Sequence, residues 1–180
     1  MVTMSTDFQQ KYPGTAYAVR GLRHVKSVKP HVFKAFMKSS GLNEKRASAT
    51  LTLTFDPLEL QLVPSVIVAE PYTIAGYANY SGVWNVIRLG PGFVQQYEAL
   101  VNVNGVVVYG KYLEAQRNAK LLMESKLLHE LVHWGRAMVS GRPSGDKKGE
   151  GEVGWGFEND AYGSHLVSSK LGLGQYIGDS

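Results

Sequence analysis

The longest regular pattern along the chain is helical and occupies residues 112–139. Apolar positions recur there at three- and four-residue intervals, and neither proline nor glycine interrupts them before Gly135. Gly141 and Pro143 follow directly, and these residue types commonly stand just past the end of a helix. The sequence therefore predicts one long helix over this range.

Short elements are predicted upstream of this helix. Alternation of apolar and polar residues, or a short apolar run between turn residues, is typical of strands. We expect strands at residues 47–55, 63–69 and 83–89, short helices at 31–37 and 93–102, a β-rich segment at 105–109 and a loop or irregular strand at 72–80. Residues 1–30 are polar and mixed, with Pro13-Gly14 marking a turn, so we expect them to be peripheral.

A glycine-rich loop and a second helix are predicted after the long helix. Residues 141–156 contain six glycines and several charges, and residues 157–166 have a helical pattern. Strands followed by a long helix, a loop and another helix are typical of an α+β fold. A chain of 180 residues is expected to form one such domain, spanning residues 1–180.

The long helix contains the motif H-E-x-x-H, formed by His129, Glu130 and His133. Residues four apart lie about 40° apart around a helix and about 6 Å along it, so both imidazoles point the same way. Two imidazoles at that spacing can hold Zn²⁺, and Glu130 is placed to act as a general base without being a ligand. The neighbouring residues are apolar, and buried histidines and glutamates need partners or a metal. These residues favour a zinc-dependent peptidase.

A catalytic zinc needs a third protein ligand, and the candidates lie downstream. On a helix over residues 157–166, Glu158, Tyr162 and His165 would share one face, whereas Asp160 would point away. This periodicity favours Glu158 as the ligand, with Asp160 and His165 as alternatives. It also makes Tyr162 and His165 candidates for stabilising the oxyanion. The loop carboxylates Asp146, Glu150 and Glu152 are further candidates, more simply explained as solvated charges.

Composition excludes several classes of protein. No cysteine is present, which rules out disulfides and thiolate zinc sites. The net charge of +4 comes from scattered basic residues, and without a nucleic-acid-binding motif it indicates a solvated surface. No apolar run reaches the roughly eighteen residues of a membrane span, and residues 1–17 lack the pattern of a conventional signal peptide.

With an H-E-x-x-H helix followed by Glu158, the chain resembles gluzincins, the zincin metallopeptidases that include the thermolysin-like enzymes. It is similar in part to aspzincins of the deuterolysin kind, whose ligand aspartate precedes a Tyr-Gly pair by three residues. Asn159 stands at that position before Tyr162-Gly163, which favours Glu158 over an aspartate. The resemblance implies a small mixed or antiparallel sheet packed on the long helix, and a second, ligand-bearing helix. Strand 83–89 lies upstream of the site helix, as the edge strand does in zincins, so it is either an edge strand able to bind extended substrate or an ordinary core strand.

Residues 113–165 look most like the zincin-like metallopeptidase domains of bacterial polymorphic toxins and type VI secretion effectors. Gly135 after the second histidine, the glycine-rich loop and the segment Phe157–Gly163 carry this resemblance. It implies an antibacterial effector that cleaves a protein or peptide, is matched by an immunity protein, and acts in a target cell after specialised secretion. The alternative is a non-catalytic, zinc-containing protein-binding module, although a purely structural site has no use for Glu130.

Overall fold

The computed structural model describes residues 4–52, 65–68, 78–81, 86–101, 110–141, 152–175 and 177, and these are mostly helical. The helices are α1 (Thr6–Lys11), α2 (Pro13–Gly21), α3 (Val25–Val28), α4 (Pro30–Ser40), α5 (Glu44–Leu51), α6 (Pro91–Val101), α7 (Lys111–Ser140) and α8 (Val153–Tyr162), with 3₁₀ turns at Leu22–His24 and Ser169–Leu171. The strands are β1 (Ser65–Val68), β2 (Ala78–Ser81) and β3 (Val86–Leu89). Helices combined with a small sheet confirm the predicted α+β class.

The described strands form a mixed sheet in the order β1–β3–β2. β1 runs parallel to β3, with Ser65 opposite Val86, and β2 runs antiparallel to β3, with Ala78 opposite Leu89. Of the two possibilities for strand 83–89, an edge strand or a core strand, the structure supports the core strand, because β3 is paired on both sides. Its backbone hydrogen-bonding groups are used within the sheet, so an added substrate strand has no place beside it.

Several predicted short elements are confirmed. α4 covers the predicted helix 31–37 and ends at Ser40, and Gly41 follows with a left-handed φ of 72°. α6 lies at the predicted helix 93–102, and β1 and β3 lie within the predicted strands 63–69 and 83–89. β2 begins inside residues 72–80, for which the sequence predicts a loop or irregular strand. The other residues of these strand ranges, together with 53–55 and 105–109, lie outside the described part of the chain.

The predicted strand over residues 47–55 is wrong, because its first residues belong to α5. Asn43 caps this helix by accepting a hydrogen bond from the backbone N–H three residues later, at 2.9 Å. Ala47, Thr50 and Leu51 are buried on one face at helical spacing. The small Ala, Ser and Thr residues here fit a two-residue and a helical period alike, so the cap and the buried face favour the helix.

The N-terminal residues are helical and pack into the core. Pro13 is the first residue of α2, a position that needs no N–H, so Pro13-Gly14 begins a helix and the predicted turn is wrong. The Glu98 carboxylate on α6 caps α2 by accepting hydrogen bonds from the N–H groups of Gly14 at 3.0 Å and Thr15 at 2.6 Å. The buried residues contributed by this region include Ala16, Val19, Leu22 and Val25.

α7 carries the H-E-x-x-H motif through the centre of the core, and its bounds confirm the predicted long helix. The apolar residues around the motif are wholly buried, namely Leu127, Leu128, Leu131 and Val132. α4 and α8 both contact α7. A Cβ added at Gly135 would lie 2.6 Å from the Cβ of Ser40, so this glycine allows α4 to approach closely. Within the described residues, no helix has the length and apolarity to span a membrane.

Candidate metal centre

His129 and His133 lie on one face of α7, as their spacing predicts, with their ring centroids 5.2 Å apart. The carboxylate of Glu152 faces both rings. Its Oε1 is 2.7 Å from His133 Nε2, and its Oε2 is 3.5 Å from His129 Nε2. One ligand atom from each of the three residues lies within 4.8 Å of the other two, so they form a group that could hold a metal ion.

Glu152 is held in place by the helix that it precedes. It is the N-cap of α8, and its two oxygens accept hydrogen bonds from the N–H groups of Gly154 and Trp155, both at 2.7 Å. Each oxygen keeps a further lone pair that faces the histidines. The N-terminus of a helix also stabilises a negative charge. The carboxylate is therefore oriented by the backbone before any ion binds.

The sequence pattern favours a solvated loop charge at Glu152, because the second helix is predicted to begin at residue 157. The helix in fact begins at Val153, which makes Glu152 its cap. Ser, Thr, Asp and Asn are the usual capping residues, so a glutamate gives no local signal. A prediction that began the second helix at Val153 would have identified Glu152 as the residue that caps it.

The charge state of Glu152 suits a metal ligand. Burial raises its pKa, but the hydrogen bond to His133, the neighbouring His129 and the Gly154 N–H together outweigh burial. As a result, the pKa of Glu152 is lowered to about 2. The carboxylate is thus ionised at neutral pH, which is the form that binds cations.

α8 begins directly against the His129 ring. A Cβ added at Gly154 would lie 2.4 Å from both Cε1 and Nε2 of His129, a separation that real side chains do not show. A Cβ added at Gly156 would have no atom within 4 Å. Glycine at position 154 therefore allows the first turn of α8 to bring Glu152 to the histidines.

Glu158 lies behind His129, on the opposite side from Glu152. Its Oε1 is 2.8 Å from His129 Nδ1 and 2.9 Å from Lys126 Nζ. Its Oε2 accepts hydrogen bonds from the Leu166 N–H at 2.7 Å and from Lys126 Nζ at 3.2 Å. The structure thus places the predicted ligand Glu158 at Nδ1 of the imidazole, and Glu152 at Nε2.

Glu158 also determines which nitrogen of His129 carries the proton. Burial raises the pKa of Glu158, but the hydrogen bond from His129 and the charge of Lys126 outweigh burial and hold that pKa below its usual value. An ionised carboxylate only accepts hydrogen bonds, so we assign the proton to Nδ1. The lone pair of the neutral ring is then on Nε2, facing Glu152.

Glu130 borders this centre and is buried. Its Oε1 lies 3.9 Å from His129 Nε2, the nitrogen that faces Glu152. It is not part of the three-residue ligand group. Glu130 is therefore next to the candidate metal site, where the H-E-x-x-H motif predicts a general base.

Tyr162 and His165 do not share a helix face, contrary to the prediction. α8 ends at Tyr162, and Gly163 follows with a left-handed φ of 79°. The Tyr162 hydroxyl donates a hydrogen bond to Glu124 Oε1 at 3.1 Å, and burial together with the Glu124 charge raises its pKa. His165 lies past the helix, with Nδ1 2.8 Å from Glu158 Oε2 but out of line for a hydrogen bond. Burial and the charge of Lys126 lower the pKa of His165 against the opposing effect of Glu158.

The remaining prominent side chains lie farther out. Asp160, the alternative ligand, pairs with Lys38 Nζ at 2.7 Å on the exposed side of α8. Trp134 is buried, whereas Trp155 is 53% exposed and its ring centroid lies 5.3 Å from that of His165. Asp160 therefore points away from the ligand group, as its helical position predicts.

The donor set fits a divalent transition metal. Two imidazole nitrogens and one carboxylate oxygen are the ligands found in catalytic zinc sites. Tetrahedral zinc with bonds of about 2.0–2.1 Å separates its ligand atoms by about 3.4 Å. The 3.5 Å between His129 Nε2 and Glu152 Oε2 is close to that value. The 2.7 Å contact between His133 and Glu152 is a hydrogen bond that an ion would replace.

Comparison with known protein families gives one finding that agrees with this geometry. The sequence profile of metallopeptidase toxin 3 matches residues 8–163, which is most of the chain and includes every residue of the candidate centre. Searches of curated proteins and of solved structures gave no significant match. Metallopeptidases are metal-dependent hydrolases of peptide bonds, so the predicted toxin resemblance, enzyme class and need for a metal ion are supported together. The chain belongs to the metallopeptidase toxin 3 family.

Proposed function

We propose that this protein is a zinc-dependent endopeptidase whose metal ligands are His129, His133 and Glu152. The observation that carries the proposal is the Glu152 carboxylate, which meets the Nε2 atoms of both motif histidines while the backbone of α8 holds it. A His-His-Glu set with nitrogen and oxygen donors is typical of catalytic zinc. This assignment replaces Glu158 by Glu152 as the third ligand.

The bound ion would supply a Lewis acid that makes water acidic near neutral pH and polarises the scissile carbonyl. Glu130 is then the general base, accepting the proton of the attacking water and passing it to the nitrogen of the leaving amine. Its burial next to His129 keeps the carboxylate out of bulk water. Of the two predicted oxyanion donors, His165 remains the candidate, because the Tyr162 hydroxyl already donates to Glu124.

We further propose that the domain acts as an antibacterial effector, delivered by a specialised route such as type VI secretion into a target cell. The support for this proposal is the toxin family to which the chain belongs. A toxin that cleaves proteins endangers the cell that makes it, so a cognate immunity protein is the expected partner. The substrate is a protein or peptide.

Metal analysis and a single-residue variant test the proposal. Purified protein should hold about one zinc per chain, and His129→Ala or His133→Ala should abolish tight binding. Glu130→Gln should keep the zinc and the fold but lower peptidase activity by about 10²–10⁴-fold, since it removes only the base. Glu114→Gln, on the exposed part of α7, is the matched control and should behave as the wild type.

Toxicity gives an independent readout when the substrate is unidentified. Expression of the wild-type chain in the susceptible compartment should be harmful, and expression of Glu130→Gln at the same level should be tolerated. Equal toxicity of these two proteins, with zinc bound in both, would contradict the peptidase mechanism. It would favour the alternative of a non-catalytic protein-binding module.

A further inference from the structure

Lys126 and Glu158 form a buried ion pair directly behind the candidate metal centre. Lys126 lies on α7 three residues before His129, and only 4% of its surface is exposed. Glu158 lies on α8 and is wholly buried. The Lys126 Nζ contacts both carboxylate oxygens, at 2.9 and 3.2 Å. The pair thus joins the two helices that carry the metal ligands.

Stability alone does not account for such a pair. Removing a lysine and a glutamate from water costs free energy, and apolar residues of similar volume often serve a core equally well or better. The carboxylate also has more hydrogen-bond partners than core packing requires, because all four of its lone-pair positions have partners. Lys126 donates to both oxygens, His129 Nδ1 to Oε1 and the Leu166 N–H to Oε2, and His165 Nδ1 also lies 2.8 Å from Oε2.

We propose that Lys126 and Glu158 are positioning residues, which hold His129 with its proton on Nδ1 and its Nε2 lone pair directed at Glu152. Lys126 and the Leu166 N–H fix the rotation of the carboxylate, and the carboxylate then fixes the ring. Neither residue is a metal ligand, and each acts through His129. This inference depends on the proposed metal site, because orienting His129 has a purpose only there. The contacts among Lys126, Glu158 and His129 are nevertheless present without the ion.

The test separates positioning from core stability by neutralising both partners together. The double variant Lys126→Met/Glu158→Gln removes both charges of this pair together, so it should fold with a melting temperature equal to or above that of the wild type. Its zinc affinity, measured by competition with a chromophoric chelator, should fall by about 10–100-fold, as is typical when a partner of a ligand histidine is lost. Lys126→Arg, which keeps a cation beside Glu158, should retain most of the wild-type affinity, and Lys120→Met on the exposed face of α7 is the control.

Nitrogen NMR of His129 supplies a readout that involves neither zinc nor activity. In metal-free wild-type protein with a neutral His129 ring, the proton should be found on Nδ1 alone. The double variant should show a mixture of the two tautomers. A folded double variant with wild-type zinc affinity and a pure Nδ1-H tautomer would overturn the inference, as would a lower melting temperature with unchanged zinc affinity.

The same measurements distinguish the failure of this inference from the failure of the proposed function. A wild-type protein that holds the Nδ1-H tautomer but binds no zinc would refute the metal site and leave the positioning of His129 intact. A wild-type protein that binds zinc but has a mixture of tautomers when metal-free would refute the positioning role alone.

Discussion

Two glutamates flank His129 and differ in what their oxygens can still accept. Glu152 is partly exposed, faces Nε2, and has a lone pair on each oxygen beyond its bonds to the N–H groups of α8. Glu158 is wholly buried, faces Nδ1, and has every lone-pair position occupied. Closeness to a histidine therefore does not identify a ligand. A candidate ligand is instead recognised by the ring nitrogen that it faces and by the lone pairs that it still has available.

The largest expected effect comes from a variant that removes the proposed ligand carboxylate of Glu152 while keeping a capping residue at this position. Glu152→Ser places a good capping residue before α8, so the helix should remain. Zinc affinity should fall by more than the roughly 100-fold expected for a partner outside the ligand set. Competition with a chelator measures the affinity, and circular dichroism checks the helix. A smaller loss than that of the Lys126→Met/Glu158→Gln variant would reverse the roles assigned to the two glutamates.

Gly154→Ala tests whether the close approach of α8 places Glu152 correctly. The added Cβ would meet the His129 ring at 2.4 Å, so either the ring or the first turn of α8 must move. We expect zinc affinity to fall by about 10–100-fold, the range for a disturbed ligand histidine. Gly156→Ala, with open space around its Cβ, should leave zinc binding unchanged and stabilise the helix by up to about 1 kcal/mol. Equal zinc affinity in both variants would contradict this account.

Tyr162→Phe tests whether the Tyr162 hydroxyl serves as a hydrogen-bond donor to Glu124 and not as the oxyanion donor. Loss of that hydrogen bond should lower the free energy of unfolding by about 1–2 kcal/mol, measured by urea denaturation. Zinc affinity and peptidase activity should stay near those of the wild type. Full stability combined with a large loss of activity would instead return Tyr162 to the role of oxyanion donor.

Asp160→Asn should have the smallest effect. The Lys38–Asp160 pair is exposed, and exposed ion pairs contribute about 0–1 kcal/mol. Zinc affinity should be unchanged, because Asp160 points away from the histidines. A marked loss of zinc affinity would support an aspzincin-like centre and contradict the choice of Glu152.

The sequence predicts the parts of the site that one helix encodes. His129, Glu130 and His133 are related by helical spacing alone, so their common location follows from the motif. Glu152 becomes a neighbour only because α8 starts at Val153 and because Gly154 has no side chain to contact His129. Those conditions depend on how two helices pack, and local periodicity carries no information about that packing.

The same limit applies to the fold. The long helix α7 is predicted correctly because its pattern continues over many turns and ends at glycine and proline. The pattern at residues 47–51 is short and consists mostly of small residues. The choice between strand and helix there depends on the buried face of α5. The position of β3 in the sheet depends on pairing between separate segments, β1 and β2, which no local pattern reveals.

The most direct test of the central claim is anomalous diffraction at the zinc absorption edge from crystals of the zinc-loaded protein. We expect one peak at about 2.0–2.2 Å from His129 Nε2, His133 Nε2 and an oxygen of Glu152. Glu158 should remain bonded to His129 Nδ1 and Lys126. A zinc ion coordinated by Glu158, or a peak away from the two motif histidines, would contradict the account.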